Sequence, residues 1–531
     1  MRPSRRADGG SVTLFLGALA SAGLLALAMP GQVGWWWLLF AALVPLLLLI
    51  HRAPPSRSAL AGFVFGLAYH LALLYWILIV LGRYGGLPLG LTLPALVLLA
   101  AYMACFPAIF CWLLSLLASR FRRRERSAAA LVWSAPVLWV GLDYLRSILF
   151  SGFPWMDLGY GLFSQPLLIQ AADLGGHHLI SFTLVLVNGL VVAAVDRQRR
   201  DGRRSLRLER GLLLAAVVVL AAIGGYSFVR HQATDPMMAG STPARVAVVQ
   251  GNIDQATKWS AATKAATVET YLKLSQQVVR EGGAELVVWP ETALPFYPQK
   301  DALLNRVIDF AATAKTWVLT GAPLYTLTPQ AGGDQIRYWN GAILIGPGGT
   351  FGGQYAKQHL VPFGEYVPLR RFLPFLQPLV VNIDDFSAGT EKGPLALGPM
   401  QLGMLICYES IFPEIARESV SRGANLLVNI TNDAWYGRSS APYQSMAMAV
   451  FRAVENKRTL IRAANTGISG FIDPLGRIIG QTEIFTEAAQ VASVPMLDTA
   501  TVFGRGGHWF GAACALLIPL LLIFRSRREQ G

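Results

Sequence analysis

A cysteine, a glutamate and a lysine stand out in this chain as a set able to do acyl chemistry. Cys407 ends the apolar run 402–406 and is followed by Tyr408, Glu409 and Ser410. Glu291 follows the apolar run 286–289 through Pro290, and Lys357 follows the β-prone pair Gln354 and Tyr355. Cysteine attacks as the thiolate, so it needs a base. Glu291 is suited to take the thiol proton and later return it to a leaving group, provided burial raises its carboxyl pKa. Lys357 supplies fixed positive charge for the thiolate and for the oxyanion of a tetrahedral intermediate. A helical pattern over 411–422 begins just past Cys407, and its dipole is expected to lower the thiol pKa. The bland alternative is that Cys407 packs as a small buried hydrophobe. His359 and His508 lack an obvious acidic orienting partner and read as structural or interfacial. No metal-ligand spacing, P-loop or dinucleotide fingerprint is present, and the chemistry needs no cofactor.

These three residues must be positioned by a rigid frame. From residue 231 the composition changes to an ordinary globular mixture, opened by a linker of small residues at 239–243. Short apolar or β-branched runs at 245–249, 285–289, 316–320, 341–345, 402–406, 425–430 and 468–472 read as buried strands. Helical patterns lie between several of them, at 261–281, 301–315, 411–422 and 443–457. Alternating strands and helices imply a layered α/β domain, in which active sites form where strands end and loops converge. The run 337–345 leading through Gly346-Pro347-Gly348-Gly349 into 350–355 reads as a hairpin, so the sheet is expected to be mixed.

The rest of the chain is a membrane sequence. It has 531 residues, 53% hydrophobic and only 14% charged, with a mean hydropathy of +0.44. Stretches long enough to cross a hydrocarbon core of about 30 Å occur at 12–29, 33–50, 59–81, 88–118, 128–149, 167–195, 211–229 and 508–524. Asp173, His177 and His178 weaken the sixth, whose span is expected to begin near Leu179. The net charge of +14 sits mostly in alternate loops and both tails: Arg2, Arg5 and Arg6; Arg52 and Arg57; five arginines over 120–126; seven over 197–210; Arg525, Arg527 and Arg528. The other loops, 30–32, 82–87 and 150–166, hold Arg83 and no further Lys or Arg. This asymmetry predicts both termini in the cytoplasm and argues against a nucleic-acid partner. The expected domains are therefore 1–230 with seven spans, 231–507 outside the cytoplasmic membrane, and 508–531 with the eighth span and tail. The first span resembles a signal peptide but is longer than a usual h-region, and an uncleaved anchor is expected. Asp143 and Arg146, three apart on one helical face, are expected to pair.

Trp289-Pro290-Glu291, the block 355–365 and Cys407-Tyr408-Glu409 are similar to the three signature blocks of the nitrilase superfamily. The resemblance covers about 243–495 and implies an αββα sandwich with a Glu-Lys-Cys triad. A nitrilase-like domain inserted before the last of eight spans resembles the apolipoprotein N-acyltransferase family of bacterial inner membranes. That resemblance implies a ping-pong reaction. Cys407 takes the sn-1 acyl chain of a phospholipid, typically phosphatidylethanolamine, as a thioester, and passes it to the α-amine of a diacylglyceryl-modified apolipoprotein cysteine. It makes Glu291 the general base and acid, Lys357 the oxyanion stabiliser, and Glu365 a supporting carboxylate. Trp259, Tyr408 and Glu409 match positions used around the substrate. Trp259 also fits an interfacial anchor, and Tyr408 and Glu409 also fit packing or capping roles. The loop 429–437 is similar to the family's loop beside the pocket, and its polar residues also suit a turn.

Both substrates of such a reaction are lipids, so apolar loop residues are expected to line an opening to the outer leaflet. The candidates are Phe296, Tyr297, Phe363, Phe372, Leu373, Phe375, Leu376 and Trp435. Two other classes fit less well. A tethered amidase would use the same triad with water as second nucleophile, and a transporter would carry polar residues through its spans.

Overall fold

The computed structural model describes residues 6–122, 127–198, 206–260, 262–328, 335–366 and 386–523. The chain forms two compact units. One comprises 1–78, 88–231 and 506–531, the other Ile79–Leu87 and Gln232–Arg505. The short run 79–87 packs with the second unit, although the sequence pattern grouped it with the spans.

The first unit is helical. Among the described residues, three helical stretches are long and apolar enough to cross a membrane: Leu89–Ser119, Ala172–Asp196 and Arg210–Ala239, the last of which runs on past His231 into the second unit. Shorter apolar helices occur at Val12–Ala28, Trp36–Ile50 and Trp509–Ile523. The expected span 33–50 is broken, with a 3₁₀ turn at Trp36–Phe40 and an α-helix at Val44–Ile50. The helix Ala172–Gln198 is interrupted at Gly175 and Gly176, where Gly176 takes φ +69, just ahead of Leu179. Arg146 pairs with Asp143 at 3.2 Å and also with Asp157, which in turn meets His177 Nε2 at 2.8 Å. Pairing within the helix was expected, and the loop partner Asp157 was not.

Among the described residues the second unit contains two six-stranded sheets. Its strands are β1 (Pro243–Gln250), β2 (Leu286–Val288), β3 (Trp317–Thr328), β4 (Gln335–Ile345), β5 (Phe351–Ala356), β6 (Leu395–Leu397), β7 (Met400–Ile406), β8 (Leu426–Thr431), β9 (Thr459–Ala464), β10 (Gly470–Ile472), β11 (Ile478–Ile479) and β12 (Ala488–Pro495). One sheet runs β12-β1-β2-β3-β4-β5, the other β11-β10-β9-β8-β7-β6. The centre of each is parallel and the edges are antiparallel, because helices 264–282, 303–314, 413–421 and 441–456 return the chain between parallel neighbours.

Side chains alternate along each strand, which is what lets one sheet face two cores. Val246 and Val248 of β1, with Leu286 and Val288 of β2, pack on Leu402, Met404, Ile406, Leu426, Val428 and Ile430 of the other sheet. The intervening Ala247, Val249 and Val287 face outward onto Val268, Tyr271 and Val307 of two helices. The result is the mixed-sheet αββα sandwich expected for this segment.

Candidate active site

The sandwich delivers each of the three candidate residues from the end of a strand. Glu291 lies three residues past β2, Lys357 directly follows β5, and Cys407 directly follows β7. Cys407 has φ +53, a left-handed conformation that a cysteine adopts only under local constraint. Strained turns of this kind aim a nucleophile away from its own strand.

Cys407 is partly exposed, and two charged groups act on its thiol with opposite effect. Burial pushes the thiol pKa well above its ordinary value, Glu291 adds to that rise, and Lys357 opposes it together with a hydrogen bond involving Thr431. The expected lowering by the following helix is therefore corrected. The segment Cys407–Ile411 is a 3₁₀ turn, the α-helix starts only at Pro413, and burial dominates. Cys407 is therefore held as the thiol at rest, and attack by it would need a base at the moment of reaction.

Glu291 is buried and both of its oxygens accept hydrogen bonds. Asn340 Nδ2 donates to Oε1 at 2.7 Å, and the main-chain N–H of Asn432 donates to Oε2 at 2.9 Å. Lys357 is buried too, and its Nζ donates to Glu365 Oε1 at 2.9 Å. Burial works against the ammonium, but Glu365, Cys407 and Glu291 outweigh it and hold its pKa above that of an ordinary lysine. Lys357 therefore stays charged through any working pH. Glu365 Oε2 also accepts the N–H of Val361 at 2.8 Å, which folds the 361–365 turn onto the lysine.

Asn340 carried no signal as a site residue in the sequence, and it joins the two carboxylates. Its Nδ2 donates to Glu291 and, at 2.8 Å, to Glu365, so both amide hydrogens are spoken for and the orientation of the group is fixed. A lone polar amide in the otherwise apolar end of β4 was the available clue. Asn340→Ala is expected to slow acylation of Cys407 about tenfold, the worth of one buried hydrogen bond to a charged group. Rapid-quench mass spectrometry would measure it, and an unchanged rate would remove Asn340 from the site.

Glu409 fits the capping role that was one of its two expected readings. It is fully buried, and its carboxylate accepts from the N–H groups of Ile406 (2.7 Å), Gln358 (2.6 Å) and His359 (3.1 Å) and from the Tyr355 hydroxyl (3.1 Å). It thus ties the Lys357 turn to the Cys407 turn. Burial pushes its carboxyl up to about 7, against those backbone donors and Lys357. Tyr408 is also buried, in ring contact with Phe412 and His359. His359 packs 3.8 Å from Phe412 and is held neutral, at about 4, by burial and Lys357, as a structural histidine should be.

Among the expected lipid-facing residues, Phe363 is exposed (44%) and Trp435 is half-buried against Tyr84, and Trp259, the substrate-side or anchor candidate, is exposed too (43%). Phe296 is a correction: it is buried among the side chains that pack the outer face of the first sheet. Tyr297 is half-buried in contact with the rings of Tyr325 and Tyr338. Phe372, Leu373, Phe375 and Leu376 lie outside the described residues.

In the 429–437 loop, the polar residues divide their duties. Asp433 accepts from Arg462 (2.9 Å) and from Thr431 (2.8 Å), which shapes the turn, while the Asn432 N–H reaches Glu291. The buried Arg462 is the reason β9 was missed, since a charge at its centre breaks the apolar run.

A thiol, a carboxylate and an ammonium brought together at strand ends of an αββα sandwich mark a nitrilase-type domain. Consistent with this, residues 245–502 match the carbon-nitrogen hydrolase family model. Residues 21–190 match the model of the apolipoprotein N-acyltransferase N-terminal domain. Curated apolipoprotein N-acyltransferases align over nearly the whole chain. That of Geobacter metallireducens is 40% identical over 97% of this chain and 96% of its own, and that of Methylococcus capsulatus is 36% identical over 90% of each. The chain belongs to the apolipoprotein N-acyltransferase family. Among solved structures, Saccharomyces cerevisiae Nit3, a member of branch 10 of the nitrilase superfamily, aligns with 48% of this chain and 90% of its own. Its identity is 20% and the TM-score 0.37.

Proposed function

We propose that this acyltransferase moves the sn-1 acyl chain of a phospholipid, phosphatidylethanolamine in the typical case, to the α-amine of a diacylated apolipoprotein cysteine. Glu291, Lys357 and Cys407 carry the reaction, with Glu365 in support. The observation that carries this reading is the left-handed turn at Cys407, on whose thiol Glu291 and Lys357 act together.

In the first half-reaction Glu291 accepts the thiol proton as sulfur attacks the ester carbonyl. The oxyanion forms beside the Lys357 ammonium. Collapse breaks the ester C–O bond, and Glu291 returns its proton to the departing lysophospholipid. In the second half, the lipoprotein amine attacks the thioester, Glu291 takes the amine proton, and the thiolate leaves and is reprotonated. A neutral amide forms, and no external acid or base is consumed.

The proposed setting is a bacterial inner membrane, with eight spans, both termini cytoplasmic, and residues 231–507 on the periplasmic side. Extracting acyl chains into water costs about 0.8 kcal/mol per methylene, which favours a catalytic domain held at the bilayer. Trp259, Phe363 and Trp435 are the proposed lipid contacts. Phe363→Ala and Trp435→Ala are expected to slow acyl transfer about tenfold in a detergent assay, roughly the loss of one aromatic contact, with melting temperature unchanged. Wild-type rates in both would reject the lipid-entry role. The function itself is tested by incubating the purified protein with phospholipid and a diacylated lipopeptide. Equal yields of triacylated peptide and lysophospholipid are expected. Fatty acid release without peptide acylation would instead identify a hydrolase.

A further inference from the structure

The two oxygens of Glu291 are held in different ways. Oε1 accepts from a side chain, that of Asn340, whereas Oε2 accepts from the main-chain N–H of Asn432 at 2.9 Å. A main-chain donor is aimed only by fixing the backbone that carries it. Asn432 directly follows β8, and its buried side chain is engaged at both ends. Its Nδ2 donates to Gln255 Oε1 at 2.6 Å, and its Oδ1 accepts from Asn465 Nδ2 at 3.0 Å.

These two anchors differ in kind. Asn465 directly follows β9, the parallel neighbour of β8, and its N–H donates to the Thr431 carbonyl at 3.1 Å. Its amide also donates to the Ile253 carbonyl at 2.8 Å and accepts the Ile253 N–H at 2.9 Å, which makes it a strut between the two sheets. Gln255 comes from the loop after β1, in the opposite sheet. That loop turns at Asn252, φ +51, and carries the exposed Trp259 four residues past Gln255. Gln255 is itself buried, so without its oxygen the Asn432 Nδ2 is left unpaired in the interior. The Asn432 side chain must then turn toward another acceptor and draw its own N–H off Glu291.

We propose that Gln255 is a positioning residue for acyl transfer, which holds the Asn432 amide so that the Asn432 N–H fixes the Glu291 carboxylate in the direction of proton exchange. This rests on the reading of Glu291 as general base and acid. Proton transfer requires the carboxyl oxygen within hydrogen-bond reach of the reacting atom, and small displacements are costly. The demand is greatest when the ester C–O bond of a phospholipid breaks, because the departing lysophospholipid oxygen takes the electron pair and needs the Glu291 proton. A p-nitrophenyl ester makes no such demand. Its phenolate leaves as the anion, and Glu291 sheds its proton to water afterwards. A misplaced carboxyl therefore penalises the phospholipid more than the activated ester, whereas a general loosening of the fold slows both alike.

The test uses the full-length protein in detergent micelles and two donors of the same acyl chain, a phospholipid and a p-nitrophenyl ester, with the rate of acyl-enzyme formation measured for each. Gln255→Met keeps the length of the side chain and removes the acceptor. It is expected to slow acylation from phospholipid about tenfold at saturation, the worth of one buried hydrogen bond, with a smaller loss for the p-nitrophenyl ester. A folded Gln255→Met that matches wild type with both donors, slows both equally, or raises only KM overturns the inference. If it does not fold, Gln255→Asn, which keeps an amide but draws it back by one methylene, is read by the same results. Failure of both to fold would make Gln255 a residue of the fold alone and also overturn it. Glu291→Gln separates the two layers. Its inactivity beside an unaffected Gln255→Met sinks only the role of Gln255, whereas wild-type acylation by Glu291→Gln sinks the base assignment and this inference together.

Discussion

Replacing Cys407 with alanine is expected to abolish acyl transfer and, more diagnostically, to abolish a covalent adduct. Incubated with phospholipid alone, the wild-type protein should gain the mass of one fatty acyl group, and a diacylated lipopeptide should discharge it. The chain has three other cysteines, and the site of the adduct is still decided by environment. Cys111 and Cys514 are buried and Cys105 is exposed, but Cys407 is the one on which both a carboxylate and an ammonium act. Because burial holds its thiol protonated at rest, the adduct should form slowly when Glu291 is replaced by glutamine, even though the sulfur is untouched. Peptide mapping would locate the thioester. An adduct that persists in Cys407→Ala, or that maps to another cysteine, would refute the assignment.

The strand ends were legible because each reactive residue follows an apolar run that only a buried strand explains, as with 402–406 before Cys407. Strands of the second rank were not. β12 (Ala488–Pro495) is short of bulky side chains and only partly buried, and β9 hides behind Arg462. The charges of the triad could be named from chemistry, but not their supports, since Asn340, Asn432 and Glu409 act through hydrogen bonds most of which cross wide sequence separations. Period and composition report which face a residue occupies, not which distant group it meets. The thiol shows the same limit: a helix pattern beginning after it suggested a lowered pKa, while desolvation of the partly exposed thiol by the sandwich around it decides the matter.

Lys357 provides the second large expected effect. Lys357→Met removes the cation that opposes the rise of the thiol pKa and that is proposed to face the developing oxyanion. Loss of one such group costs on the order of 10²- to 10³-fold in the chemical step. The same substitution strands Glu365 as a buried carboxylate, whose remaining donors are Asn340 and the Val361 N–H. Breaking one side of a buried pair destabilises by about 3–5 kcal/mol, so a low rate alone could reflect a damaged fold. The double variant Lys357→Met with Glu365→Gln separates the two. A neutral amide at 365 no longer leaves an uncompensated charge, so melting temperature should recover most of its loss while acyl-enzyme formation stays depressed. Lys357→Arg should retain the charge yet recover little activity, because the planar guanidinium cannot occupy a site shaped for one compact ammonium beside Glu365 Oε1. If the double variant regained wild-type acylation, the positive charge would have no part in the chemistry, and Lys357 would be no more than the counter-ion of Glu365.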